Sequence, residues 1–132
     1  MGLNETKITE LVDLRNKRLG IREQINRTSQ EIAWAAGLFE GEGSSYKTRT
    51  GVRIELSSCD EDVVDEFARI MNCGTISKRE RPPYKPHWRW YTNKRDDVIE
   101  ILTFLLPYLG KRRTENAQAV LEKARQISDY RK

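Results

Sequence analysis

The chain is poor in the residues that most often carry catalysis at neutral pH. It has one histidine, His87, so no pair of histidines can share the acid and base roles. Its two cysteines, Cys59 and Cys73, lie 14 positions apart with no histidine close by. That spacing fits neither a disulfide framework nor a zinc site, and it makes a reducing cytoplasm the default expectation, or an organelle matrix if the gene is organelle-encoded. Long apolar runs are missing too. The best of them, 99–106, is interrupted by Glu100 and ended by Pro107, so neither a membrane span nor a membrane partner is expected. The first residues, Met1-Gly2-Leu3-Asn4-Glu5, lack an apolar signal region. Proline is scarce, and three of the four, Pro82, Pro83 and Pro86, crowd into one short stretch, as expected of a stiffened loop.

Charge is what the chain has in quantity: 33% of its 132 residues are charged, beside 37% hydrophobic, a balance that suits one domain around one core. The net charge of +4 conceals a strong segregation. Over 74–95, Lys78, Arg79, Arg81, Lys85, Arg89, Lys94 and Arg95 face only Glu80, a net +6, whereas 60–71 carries −4. Lys111-Arg112-Arg113 adds a short basic block. The +6 tract is interleaved with Tyr84, Trp88, Trp90 and Tyr91 and exceeds what is needed to protect a sheet edge, so it points to nucleic acid.

Periodicity divides the chain into elements. Residues 5–19 have helical spacing and end at Gly20, and 21–27 is a shorter helical piece. Thr28 and Glu31 have the form of a capping box that opens a helix with Ile32, Ala33, Ala36 and Phe39 on one apolar or small face. Ser44–Lys47 and 52–57 read as two strands around a tight turn, with Val52, Ile54 and Leu56 alternating against Arg53, Glu55 and Ser57. Ser58 and Glu61 form a second capping box, opening a helix over about 60–71. A second strand pair follows, 75–80 and 87–92, in which Trp88 and Trp90 share the face that must be buried. Asn93 is placed to cap a helix that ends at Pro107, and Thr114 to start a last helix with Ala117, Val120, Leu121, Ala124 and Ile127 inward.

The first of these helices ends unusually. Gly37 and Gly41 lie four apart and share a face, at a cost of about 1 kcal/mol each, which suggests close approach of another backbone. Glu40 and Glu42 sit where the helix is expected to stop, at Gly41 and Gly43, against the negative end of its dipole, where a cation would be favourable. The stretch Ala35-Ala36-Gly37-Leu38-Phe39-Glu40-Gly41-Glu42-Gly43 resembles the LAGLIDADG motif of homing endonucleases. Ala36, Gly37, Leu38, Gly41 and Gly43 match directly, Phe39 is an apolar variant and Glu42 an acidic one. Ala35 and Glu40 stand where the motif usually has leucine and aspartate.

The element order from residue 29 onward is that of a single LAGLIDADG subunit. The resemblance therefore implies an α+β protein of αββαββα type, with a curved four-stranded antiparallel sheet that straddles the DNA major groove. Residues 29–132 would form that domain and 1–28 an N-terminal helical extension. It further implies a homodimer, because one motif supplies one catalytic carboxylate, with Ala36, Gly37 and Gly41 at the crossing of the two motif helices. Glu42, helped by the Gly41 carbonyl, would hold Mg2+ or another divalent cation such as Mn2+. Ser58 corresponds to a water-ordering position, and Lys111 or Arg112 to a basic residue beside the scissile phosphate. The partner is a double-stranded DNA site, in the setting of intron or intein mobility. Candidates for reading it are Lys47, Arg49, Arg53, Glu55, Lys78, Arg79, Arg81, Arg89 and Lys94. The alternatives on this scaffold are a non-cleaving DNA-binding regulator and an RNA splicing maturase, but both would normally lack the carboxylate that Glu42 supplies. A helix-turn-helix regulator is disfavoured because 38–43, where a recognition helix should follow, is acidic and broken by glycine.

Overall fold

The structure, a computed structural model, describes the backbone of residues 26–131 and side chains as far as Ile127. Its elements run α1 (Ser29–Glu42), β1 (Gly43–Lys47), β2 (Val52–Ser58), α2 (Glu61–Met71), β3 (Thr75–Arg79), β4 (His87–Thr92), α3 (Arg95–Leu105), a short 3-10 turn (Leu106–Tyr108) and α4 (Lys111–Arg131). This is the expected αββαββα order with a terminal helix. The helices read from 5–19 and 21–27 lie outside the described residues, save that 26–28 are non-helical.

The strands form one open antiparallel sheet in the order β1-β2-β4-β3. All four helices pack on one of its faces. Val52, Ile54 and Leu56 of β2 and Trp90 of β4 point into that layer, against Phe67 and Met71 of α2, Ile101, Leu102 and Leu105 of α3 and Ala117, Val120 and Ala124 of α4. Trp90 has no exposed surface; its indole N–H donates to the Cys73 carbonyl at 2.8 Å and its ring meets Phe67 edge-on at 5.0 Å. Gly74 makes this possible: it has φ +92°, and a side chain there would overlap the indole. Trp90 is therefore core, and Trp88, on the same face, is partly buried against it.

Several local expectations are revised. The Thr28–Glu31 capping box forms at both bonds, 3.0 Å and 2.9 Å. The Ser58–Glu61 box does not: α2 starts after Asp60 without a side-chain cap, and Ser58 Oγ instead accepts from the Asp60 N–H at 3.1 Å. Lys94, not Asn93, precedes α3, its N–H donating to Thr92 Oγ1 at 3.2 Å. α4 begins at Lys111, three residues before Thr114, because the turn through Gly110 already faces helically and the Thr114 N–H reaches the Gly110 carbonyl at 2.8 Å. Arg27, assigned to the extension, belongs to the packing of the domain. It donates to the Ile70 and Met71 carbonyls at the end of α2, bonds Glu100 at 3.2 Å, and lies over the Phe104 ring.

Candidate nucleic-acid interface and catalytic end

The end of α1 shows how one helix serves two sides. Ala35, Ala36 and Phe39 are fully or almost fully buried in the subunit's own core. Ala36 therefore faces inward and is not on the outer face; Ala33, expected inward, is exposed. The outer face carries Trp34, Gly37 and Gly41, with Trp34 42% exposed. Among the described residues, a Cβ added at Gly37 or Gly41 would meet nothing within 4 Å, so none of them requires glycine at either place. Gly43 is different: a side chain there would overlap the Phe39 ring. The helix runs through Gly41 to Glu42, and Gly43 caps it in extended, not left-handed, geometry, with its N–H on the Phe39 carbonyl.

The two glutamates of this end separate cleanly. Glu40 Oε1 accepts from the Gly110 N–H at 2.6 Å, and Arg113 Nε lies 3.1 Å from the Glu40 carbonyl and 3.6 Å from its carboxylate. Glu40 therefore ties α1 to the start of α4, as support for a turn. Arg113, rather than its neighbours Lys111 and Arg112, takes the structural role, and those two remain exposed. Glu42 is exposed and has no hydrogen bond or ion pair with any described residue. One subunit leaves it on the surface.

The sheet register gathers the other candidates. Gly43 pairs with Leu56, so Glu42 emerges beside the end of β2 that carries Ser57 and Ser58. Ser58 pairs with Trp88, which brings the start of β4 to the same end. Lys111 and Arg112 follow Gly110, which Glu40 holds against α1. Glu42, Ser58, Lys111 and Arg112 thus share one end of the domain. Among the described residues no three His, Cys, Asp or Glu side chains cluster to hold a metal.

The face of the sheet away from the helices is polar. From β1 to β3 it presents Tyr46 and Arg53; then Ser44, Glu55, Tyr91 and Thr75; then Ser57, Arg89 and Ser77; and last His87 and Arg79. Glu55 lies at its centre, 3.1 Å from Arg53 and 4.0 Å from Arg89. Arg53 also stacks on Tyr91, 4.1 Å from the ring centre, and bonds Asn93 at 3.3 Å. Burial, with Glu55 second, pushes the Tyr46 phenol above its ordinary value. A cleft of about 390 Å³ opens where Arg79, Glu80, Arg81, His87 and Arg89 meet.

Of the nine proposed DNA-reading residues, Arg53, Glu55, Arg79 and Arg89 stand on this face, and Arg81 lines the cleft. Lys47 pairs with Val52 and Lys78 with Trp88, so both belong to the helix side of the sheet; Lys78 is engaged with Glu80 at 2.9 Å. Arg49 lies in the exposed β1–β2 turn, and Lys94 leads into α3. Arg95, counted in the basic tract, is spent on the Ala124 carbonyl. The sequence reading missed Tyr46, Tyr91 and His87 on the open face, although strand alternation alone points Tyr91 the same way as Arg89.

No protein-family model matches this sequence, and neither does any curated protein. Comparison of the folds is decisive where sequence comparison is silent. The structure superposes on the homing endonuclease I-CvuI in complex with its target with a TM-score of 0.60, at 20% identity over 77% of this chain and 70% of that one. It matches the group I intron-encoded homing endonuclease I-CeuI complexed with DNA at 0.57 and 18% identity, covering 96% and 70%. It matches the LAGLIDADG homing endonuclease I-GzeII in complex with a DNA target at 0.64 and 17% identity, covering 95% and 52%. The fold is that of the LAGLIDADG homing endonucleases. The α+β architecture expected from the element order and the nine-residue stretch is thereby found, with Ala35 to Glu42 of that stretch on α1 and Gly43 opening β1. No helix among the described residues is long and apolar enough to cross a membrane.

Proposed function

We propose that this protein is a site-specific endonuclease that cuts both strands of double-stranded DNA as a homodimer, with Mg2+ or another divalent cation. The observation that carries the reading is Glu42: an exposed carboxylate with no partner among the described residues of its subunit, next to a glycine face that no described residue uses. Two copies crossing at Gly37 and Gly41 would cover Trp34 and bring two Glu42 side chains together. Their charges would repel unless a cation lay between them.

Among the described residues, the donor chemistry fits a hard divalent ion only in the dimer, where two Glu42 carboxylates and two Gly41 carbonyls would supply oxygen ligands. When bound, such an ion lowers the pKa of a water and offsets charge building on the phosphate. The chain's own residues do the rest. Lys111 and Arg112, exposed at the same end, face the negative charge of the cleaved phosphate. Ser58 Oγ spends one lone pair on the Asp60 N–H, which leaves its O–H and second lone pair to orient a water. The open face of the sheet, rich in arginine, holds the duplex and reads it.

The test is incubation of the full chain with a library of DNA duplexes, with and without Mg2+. Recovered double-strand cuts that require metal and fall by orders of magnitude in Glu42→Gln support the reading. Binding without cutting at any metal concentration would assign the scaffold to a regulator instead.

A further inference from the structure

We infer that Arg89 is the guanine-reading side chain of the open face and that Arg53 is a positioning residue; this rests on the DNA-recognition reading above. The two arginines look alike in sequence and differ in what they have left to offer. Arg53 gives Nε to Glu55 at 3.1 Å and Nη1 to Asn93 at 3.3 Å, and its plane lies on the Tyr91 ring. Its fork is already closed, with one nitrogen remaining. Arg89 has no hydrogen-bond acceptor among the described residues, and its Nε is buried without a partner. Glu55 holds it only at 4.0 Å. A buried N–H left open is a cost to the free protein that a ligand acceptor removes.

The surroundings of Arg89 suit a base edge. β4 is an interior strand, and the residues beside Arg89 on the two flanking strands are Ser57 and Ser77. Two short side chains leave room on either side of a long one. The cleft shared with Arg79 and His87 opens beside it, at the Glu42 end of the sheet. An unspent guanidinium fork matches two acceptors lying side by side. In the major groove guanine O6 and N7 present that pair. A phosphate would also accept, but rim cations such as Arg81 and Lys85 are the better placed for it, being exposed in the loop between β3 and β4.

The experiment selects binding sites from a randomised duplex library without divalent metal, using the wild-type chain, Arg89→Lys, Arg89→Ala and Arg53→Ala. The wild type should enrich a site with guanine fixed at one position in each half. Arg89→Ala and Arg89→Lys should each lose that preference by about tenfold or more, the rest of the site persisting, since a lysine cannot form the fork. Arg53→Ala should bind more weakly yet keep guanine at the position. Retained guanine preference in Arg89→Lys, or an equal loss on every sequence in Arg89→Ala, would make Arg89 a phosphate contact and overturn the inference. Loss of that preference in Arg53→Ala alone would reverse the assignment. If the wild type enriches no site, sequence reading itself fails and the inference falls with it. Arg89→Lys decides if Arg89→Ala does not fold.

Discussion

The two sides of α1 are built from nearly the same residue types and do opposite things. Inward, Ala35, Ala36 and Phe39 are buried in the subunit, and Glu40 is held by Gly110 and Arg113. Outward, Trp34, Gly37 and Gly41 are exposed, and Glu42 bonds nothing described. Each side has small residues and one glutamate. On the inner side smallness admits the subunit's own sheet and helices; on the outer side it admits none of the described residues. The difference teaches that a residue's type does not reveal its use. What separates Glu40 from Glu42 is whether its partners lie in the same chain.

That contrast can be broken most severely on the outer side. Gly37→Leu should abolish dimerisation, and with it cutting. The subunit should still fold, because no described atom lies within 4 Å of the added Cβ and leucine favours a helix by about 0.8 kcal/mol over glycine. Melting that rises with protein concentration in the wild type should become independent of it in the variant; a variant that stays dimeric by light scattering would place the interface elsewhere. On the inner side, Phe39→Ala should lower unfolding free energy by about 3–5 kcal/mol, read by denaturant titration, since the ring is buried and packs over Gly43. Glu40→Ala should lower it by about 0.5–1.5 kcal/mol, because the Gly110 N–H loses its acceptor and Arg113 loses the nearby carboxylate while keeping the Glu40 carbonyl. The smallest effect lies at the other end of the helix. The Thr28 backbone N–H, then Arg69, hold the Glu31 carboxyl at about 2, down from 4.5. A lowered value means the bonds stabilise the fold above pH 4.5 and fade as pH falls through about 2. Glu31→Gln should therefore lower the melting temperature slightly at neutral pH, and the gap to wild type should close towards pH 2.

Much of the fold was legible because its signals are local. The Val52-Ile54-Leu56 alternation, the inward stripe of α4 and the Thr28–Glu31 box each depend on neighbours within a few positions. The two faces of α1 were harder. Small and apolar residues occur all round it, so periodicity could not tell Ala36, which is buried, from Ala33, which is exposed. The side of the sheet taken by Lys47 and Lys78 followed from pairing with Val52 and Trp88, a register that spacing of charge does not encode. Ser58 looked like a helix cap because it precedes Glu61 by three, yet the helix starts two residues later than such a cap requires, after Asp60, whose N–H the hydroxyl accepts from instead. Arg27 and Arg113 act across 43 and 73 positions of sequence, and nothing local marks such partners.

The most direct test of the account sets Glu42→Gln beside Glu40→Gln and measures two properties of each, the melting temperature and the rate of metal-dependent cutting on a site recovered from the library. The account predicts a crossed result. Glu42→Gln should melt like the wild type or higher and cut slower by orders of magnitude; Glu40→Gln should melt lower and keep most of its cutting when fully folded. Full cutting by Glu42→Gln, or by the wild type in excess EDTA, would contradict it.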